Sequence, residues 1–450
     1  MKTKTDPHRR DFLKTSSATA AAALAFPTVT LGKPNSAKLK VGWVGCGGRG
    51  SGAINQALTA DSNIELWSIG EAFADKAAAG LERISKLHPG KVSVDKSRVH
   101  VGLDAYQKVI DSGVDVVVLT TPPGFRPSHI KAAVDAKKHV FAEKPMATDA
   151  PGARSVIESV KKAKAQGTSI VDGFVWRWTY AQRDTYERIR GGELGDIHAI
   201  FSSYNNNARK RYTDFGRHNT RTEMEYMIRR WYYFTWLSGD HIVEQAVHSI
   251  DKMLWAKGDE PPLYAIANGG RQNRGAEEGN IYDHFGVEFS WADGTQGYHF
   301  CRQMDNCENG VWDRVYGTKA KYTGESGRKS HVFSDLKDGR PNLVWRWTPG
   351  PNNERNNNGY QTEHDEMYAA IRDGKPLNTG ERMIHTTLMA MMARTAAYTG
   401  KKVTWDMMLN SKEKLVPENL AFDSLPLNAM DSRAPRRPGS EAASKPHGWE

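Results

Sequence analysis

The sequence predicts an α/β fold in two parts, an open parallel sheet over residues 36–164 and an α+β part over residues 165–430. Three observations point there. A short alternating strand, Leu39 to Val44, runs straight into the glycine-rich turn Gly45-Cys46-Gly47-Gly48-Arg49-Gly50 and then a helical stretch from Ser51 to Thr59. Strands and helices keep alternating as far as Ala142, the order that builds a parallel sheet with helices on both faces. Beyond about residue 165 the apolar pattern changes to strands exposed on one side, with Asp293-Gly294 as a hairpin turn between two of them.

Composition narrows the class. At about 150 residues per domain, 450 residues suggest two or three domains, each with its own core. The 39% hydrophobic content and three cysteines exclude a collagen, a coiled-coil rod and a disulfide-stapled mini-protein. No apolar run approaches the roughly 18 residues of an ordinary membrane-spanning helix, so stable membrane insertion is not expected. The formal charge is +10, yet Lys137-Lys138, Lys161-Lys162 and Arg209-Lys210-Arg211 are short and separated. A phosphate backbone needs a continuous basic stripe, so nucleic acid is not an expected partner.

The first 35 residues read as a leader and linker rather than as fold. Arg9-Arg10-Asp11-Phe12-Leu13-Lys14 precedes a small, weakly apolar, uncharged stretch that ends near Ala25, the expected cleavage zone. The arginine pair directly before that stretch resembles the twin-arginine export signal, which implies the corresponding export machinery as a partner and a periplasmic destination. Export by that route moves folded cargo, often with a cofactor already inside. Cys301 and Cys307 are near enough in sequence to pair in an oxidising compartment, or to remain free thiols. Residues 431–450, rich in Pro, Ser, Arg and Gly, read as a disordered tail.

The glycine turn carries the first chemistry. G-x-G-x-x-G between a strand and a helix is the context for dinucleotide binding: Gly45 makes the tight turn, Gly47 lets the backbone approach a pyrophosphate, and Gly50 lets the helix pack on its strand. Gly48 and Arg49 complete the loop at the helix N-terminus, where free N–H groups and the dipole favour phosphate. The second strand, Ile64 to Ile69, leads to Glu71, about 20 residues beyond the loop, where a carboxylate would accept from ribose hydroxyls. Glu71 argues for NAD over NADP, because a 2′-phosphate would meet a like charge. The apolar strand Val114 to Leu119 ends in Thr120-Thr121-Pro122-Pro123, and a helix from about Arg126 to Ala136 leads to the strand His139 to Ala142. Ligands of such a sheet lie over the carboxyl ends of its strands, so Thr121, Pro122 and the following Glu143-Lys144-Pro145 should flank the cofactor.

Glycine loop, Thr-Pro strand end and Glu-Lys-Pro together resemble the glucose-fructose oxidoreductase / inositol dehydrogenase / rhizopine-catabolism family, over residues 38 to about 405. The resemblance implies an N-terminal Rossmann domain, a second domain with an open-faced, mainly antiparallel sheet, and a dimer or tetramer through the uncovered face. The runs Ile197 to Tyr204, Tyr264 to Asn268, Phe285 to Trp291 and Gln296 to Arg302 would build that sheet.

The segment from Asp240 to Trp255 is the most informative in the second half. Val243, Val247, Ile250 and Leu254 form one apolar helix face, and Glu244, His248 and Asp251 a stripe beside it. It resembles the family's Asp-x-x-x-His-x-x-Asp signature, with His248 on the catalytic histidine and Glu244 in place of the aspartate. Oxidising a secondary alcohol needs a base for the hydroxyl proton, and histidine titrates near neutrality. By the resemblance Lys144 would hydrogen-bond the reacting oxygen, while Glu244 would orient the histidine or a neighbouring hydroxyl. Aromatic and basic residues at 174–180 and 229–236 suit a sugar's C–H faces and hydroxyl rim, although most such aromatics pack in cores. Arg177, Tyr180 and Asp251 are the candidate substrate contacts. Glu363-His364-Asp365-Glu366 reads as the acidic first turn of a helix, and no metal-ligand spacing occurs.

The expected activity is NAD(H)-dependent oxidation or reduction of a sugar, glycoside or cyclitol. Two alternatives stand beside it: a redox-neutral glycosidase or epimerase with a tightly held cofactor, and a non-catalytic sugar sensor.

Overall fold

A computed structural model describes residues 37–209, 219–275, 279–325, 330–348, 357–423 and 438. The leader with its cleavage zone, and the tail from 431 apart from Pro438, lie outside the described residues. Six parallel strands, β1 (Leu39–Val44), β2 (Ile64–Glu71), β3 (Val99–Val101), β4 (Val116–Leu119), β5 (His139–Ala142) and β6 (Ile170–Asp172), form one sheet in the order β3-β2-β1-β4-β5-β6. Its centre is apolar on both faces: every residue of β4 is buried, as a strand covered by helices on each side must be.

The first helix spans Gly48–Ala60 and so begins inside the glycine turn, ahead of the Ser51 start that the sequence pattern suggests. The helix Ala150–Gln166 is well punctuated. Asp149 caps it by accepting from Gly152 N at 2.8 Å, and Gly167 ends it in the left-handed region at φ +69°. That helix and β6 belong to the parallel sheet, so the expected boundary at residue 164 is corrected to a point after Asp172. The reason is topological: a strand-helix crossover is completed only when the next strand has paired, and β6 pairs β5.

The second sheet has nine strands: β7 (Ile197–Asn206), β8 (Tyr264–Gly270), β9 (His284–Ser290), β10 (Gln296–Gln303), β11 (Trp312–Gly317), β12 (Lys321–Glu325), β13 (Ser330–Lys337), β14 (Arg340–Arg346) and β15 (Val403–Thr404). Their order is β14-β13-β12-β11-β7-β10-β9-β8-β15, antiparallel except where β10 pairs β7. Gly294, at φ +88°, turns β9 into β10 as the Asp-Gly pair suggests. One face, with Phe285, Val287, Phe289, Cys301 and Val315, packs into the core with helices Val247–Ala256 and Gly380–Thr399. The other carries Phe201 stacked on Tyr298 at 5.0 Å, and Phe300, which is 45% exposed.

The last helices return to the first sheet. Helix Gly359–Arg372 packs on Gly48–Ala60, and its Arg372 pairs with Asp61 at 2.6 Å. It starts ahead of Glu363, so the expected acidic first turn is corrected: Asn358 caps the helix and Glu363 lies in its second turn. The three cysteines are free thiols, Cys301 among them buried on β10. Among the described residues no helix is long and apolar enough to cross a membrane.

Candidate active site

A cleft of about 710 Å³ opens over the carboxyl ends of β1, β2, β4 and β5. At one end the glycine turn is shaped by sterics. Gly45 sits at φ +94°, and a Cβ there would lie 2.8 Å from the Thr120 carbonyl carbon and the Thr121 nitrogen. A Cβ on Gly50 would lie 2.0 Å from the Gly45 carbonyl oxygen. Gly47 and Gly48, by contrast, face open space, with nothing within 4 Å of a Cβ. Two glycines therefore let the turn close and two leave room above it, at the N-terminus of a 13-residue helix. This is the cradle that a dinucleotide pyrophosphate fits.

Glu71 is buried beside the turn, where it accepts from Cys46 N at 2.6 Å and Ala72 N at 2.8 Å. Burial raises its pKa, and the Lys76 charge opposes the rise. Besides facing the cleft, the carboxylate thus braces the loop, a role that its distance along the chain did not reveal. Lys76 and Arg83 line the same end. Arg49 also lines the cleft, but its guanidinium is held: Nε pairs with Glu143, Nη2 with Glu363 at 2.8 Å, and the Tyr360 ring lies 4.4 Å away. Glycine loop, β5 end and helix Gly359–Arg372 are joined there. Glu363 and Tyr360 had no local sequence signal, because Arg49 stands at the other end of the chain.

Thr121, Pro122, Glu143 and Lys144 line the middle of the cleft. Arg126, which sequence reasoning missed, donates to the Thr121 and Pro145 carbonyls and so ties the two strand ends together. Pro145 itself stands just outside the lining.

At the other end Lys144 Nζ donates to Glu244 Oε1 at 2.9 Å and to the Glu244 carbonyl. Glu244 holds the lysine and not the histidine, which corrects the expectation of one continuous helical stripe. The helix is broken: His241–Glu244 is a single turn, and a new helix, Val247–Ala256, starts after Gln245 and Ala246. Asp240, at φ +78°, caps the single turn by accepting from His241 N, while its other oxygen accepts from Tyr282 N at 2.8 Å and from Tyr398 OH. The cap sets where Glu244 emerges.

His248 lines the cleft, half-buried, between the edge of Phe174 at 6.0 Å and Trp176 at 5.2 Å. Its Nδ1 is enclosed without a hydrogen-bond partner among the described residues. Burial, then the charges of Lys144, Lys252 and Arg49, hold its pKa well below the usual imidazole range. The ring is neutral at neutral pH, with Nε2 the nitrogen left to exchange a proton.

Arg177 and Asp251 do not join this cluster. They form a buried two-pronged pair, Nε to Oδ2 at 2.8 Å and Nη2 to Oδ1 at 2.9 Å, with Asp259 and Thr386 closing it, away from the cleft lining. Tyr180 starts a helix, its N–H on Asn357 Oδ1 at 3.0 Å, and does not line the cleft either. The expectation of substrate contacts at these three is corrected: a guanidinium this deep needs a carboxylate, and Asp251 supplies it. Tyr204, Arg209, Trp231, Tyr232 and Gln245 instead line the cleft along with Lys144 and His248. Only the aromatic run at 229–236 announced any of them.

Family models match this chain over residues 39–170, described as an oxidoreductase family, NAD-binding Rossmann fold, and over residues 186–404, described as its C-terminal alpha/beta domain. A third, the twin-arginine translocation pathway signal sequence, matches residues 6–26. The chain is 27% identical over 218 residues to inositol 2-dehydrogenase of Salmonella paratyphi B, covering 48% of this chain and 54% of that protein, so it spans about half the length of this curated relative. It is 23% identical over 326 residues to 4-carboxy-2-hydroxymuconate-6-semialdehyde dehydrogenase of a Sphingobium species, covering 68% and 90% of the two chains. A solved levoglucosan dehydrogenase, in complex with NADH and levoglucosan, matches with a TM-score of 0.64 at 17% identity, over 82% of this chain and 99% of the other. Aldose-aldose oxidoreductase from Caulobacter crescentus matches with a TM-score of 0.61 at 17% identity, again over 82% and 99%. These structures are alike in fold.

Proposed function

The chain belongs to the Gfo/Idh/MocA oxidoreductase family, and from that premise we propose that it transfers a hydride between NAD(H) and a hydroxyl-bearing carbon of a sugar, glycoside or cyclitol. One observation carries the reading: Lys144 and His248, far apart in sequence, share a cleft with the glycine turn. Bound NAD supplies the hydride acceptor at its nicotinamide ring. The chain's own residues handle the proton. Neutral His248 takes it from the substrate hydroxyl through Nε2 in oxidation and returns it in reduction. Lys144 has three N–H donors, two of them on Glu244, and the third stabilises the oxygen as it gains alkoxide character. Glu244 keeps the ammonium aimed. Glu71 supports NAD as the cofactor, since it sets a buried carboxylate where a 2′-phosphate would approach.

The inositol and levoglucosan dehydrogenases named above support the substrate class. The signal match at residues 6–26 supports export to the periplasm. The aromatic outer face of the nine-stranded sheet supports a homo-oligomer.

The signal match also favours a second reading, a captive cofactor in a redox-neutral cycle on one sugar ring. One experiment separates the readings: denature the purified mature protein, identify the released small molecules by absorbance and mass, then assay inositols and glycosides with and without added NAD. Turnover that needs added NAD supports the dehydrogenase. Stoichiometric released nucleotide, with product formed in its sole presence, supports the closed cycle. A protein that neither contains nor binds NAD(H) refutes both.

A further inference from the structure

The matched family domains end at residue 404, yet the chain beyond them packs behind one end of the cleft. At the end of the helix Trp405–Asn410, the Leu409 and Ser411 carbonyls accept from Arg154 at 2.7 and 2.9 Å. Leu415 N and Val416 N then donate to Asp149 Oδ2 at 2.8 and 3.4 Å. Asp149 is buried and caps the helix Ala150–Gln166 with its other oxygen, so one carboxylate fastens both this helix and the arm. From there Leu415, Val416, Leu420 and Phe422 pack onto a buried cluster that includes Phe73 and Phe125, both of which line the cleft.

Phe73 is the point of contact with the nucleotide end. It lies two residues after Glu71, on the β2 side of the glycine turn, where this fold places the adenosine half of a dinucleotide. Its ring has the Arg229 guanidinium at 3.9 Å and Phe422 at 5.6 Å. We propose that residues 411–423 brace a wall of the nucleotide site from behind: by backing Phe73 they fix the adenosine end of the cleft and raise the affinity for NAD. Phe422 is a positioning residue in this scheme, since it does not itself line the cleft. The inference rests on the nucleotide reading above.

The test uses the full chain, freed of any co-purified nucleotide, as parent, Phe422→Ala and Phe422→Leu. Equilibrium binding is measured for NADH, for ADP-ribose, which keeps the adenosine half and the pyrophosphate but lacks the nicotinamide, and for reduced nicotinamide mononucleotide, which lacks the adenosine half. Phe422 is half-buried, and a melting curve for each variant checks that the fold stands. The alanine variant is expected to bind NADH and ADP-ribose about five-fold more weakly, as the loss of one aromatic contact implies, with the mononucleotide unchanged. The leucine variant is expected to recover most of the loss. ADP-ribose affinity unchanged in the alanine variant overturns the proposal alone, and so does an equal loss for the mononucleotide. A parent that binds neither NADH nor ADP-ribose overturns the nucleotide reading and this inference with it.

Discussion

The two ends of the cleft are built by different means. At the nucleotide end the geometry is a matter of backbone and missing side chains: Gly45, Gly47, Gly48 and Gly50 lie within six residues, and the turn closes because at Gly45 and Gly50 there is no Cβ to clash. At the reacting end it is a matter of side chains brought from afar. Lys144 meets Glu244 across 100 residues, and His248 is held by Phe174 and Trp176 from a third stretch. A steric device of the first kind tolerates no added atom at the points where the backbone closes, here Gly45 and Gly50. An electrostatic device of the second kind tolerates changes of shape and fails when a charge is lost.

Substitutions at the reacting end sharpen this contrast most. Lys144→Met is expected to lower kcat/KM by about a thousand-fold, as removal of a donor to a developing oxyanion does, while the Kd for NADH stays within about three-fold. Steady-state rates beside a binding titration check it, and an equal loss in both would erase the division between the ends. Next in size, Asp251→Ala leaves the Arg177 guanidinium buried without its main partner, and should cost about 3–5 kcal/mol in chemical denaturation. If the purified variant kept its stability but lost activity, Asp251 would belong to the reacting end after all.

The nucleotide end is separated by a pair of variants. Gly50→Ala puts a Cβ 2.0 Å from a carbonyl oxygen and should cost about 1–3 kcal/mol of stability, with weaker NADH binding. Gly47→Ala meets nothing and should leave the melting temperature nearly unchanged, within about 0.5 kcal/mol, yet weaken NADH by narrowing the approach above the loop. Equal melting temperatures for the two would contradict the steric account.

Acid probes the buried histidines together. Burial drives His129 and His299 down to about 3 and His331 to about 4, with a cation adding to the shift in each case. Because the folded pKa is the lower one, the unfolded chain binds more protons below the unfolded value of about 6.5. Their contribution to stability is therefore complete above that pH and falls as pH drops toward 4 and then 3, by about 1.4 kcal/mol per pH unit for each such histidine. Denaturation curves at pH 7, 6 and 5 check the slope. His248 shifts the same way, so proton abstraction should persist below about pH 6.5, seen as a flat acid shoulder in the rate profile.

How much was legible follows from the same division. The glycine turn, the strand ends at Thr121 and Lys144, and His248 were readable because each lies in a local pattern of strand, turn or helix. The break at Gln245 was not, since the apolar spacing of Val243, Val247 and Ile250 continues straight through it. The structure shows the first turn fixed at its start by Asp240, itself pinned by Tyr282 and Tyr398, and a separate helix beginning at Val247. Arg177 followed the position of a family arginine and Asp251 completed the stripe with Glu244 and His248, yet burial made the two partners of each other.

Local pattern in the chain specified the order of strands and helices, the glycine cradle and the positions of Lys144 and His248, because these depend on spacing and backbone freedom over a few residues. Packing settled what each charge meets: Arg49 on Glu143 and Glu363, Glu244 on Lys144, Asp251 on Arg177. It also laid the arm beyond residue 404 against Phe73. A buried charge takes whichever counter-charge the packing of distant elements delivers, and no stretch of neighbouring residues records that choice.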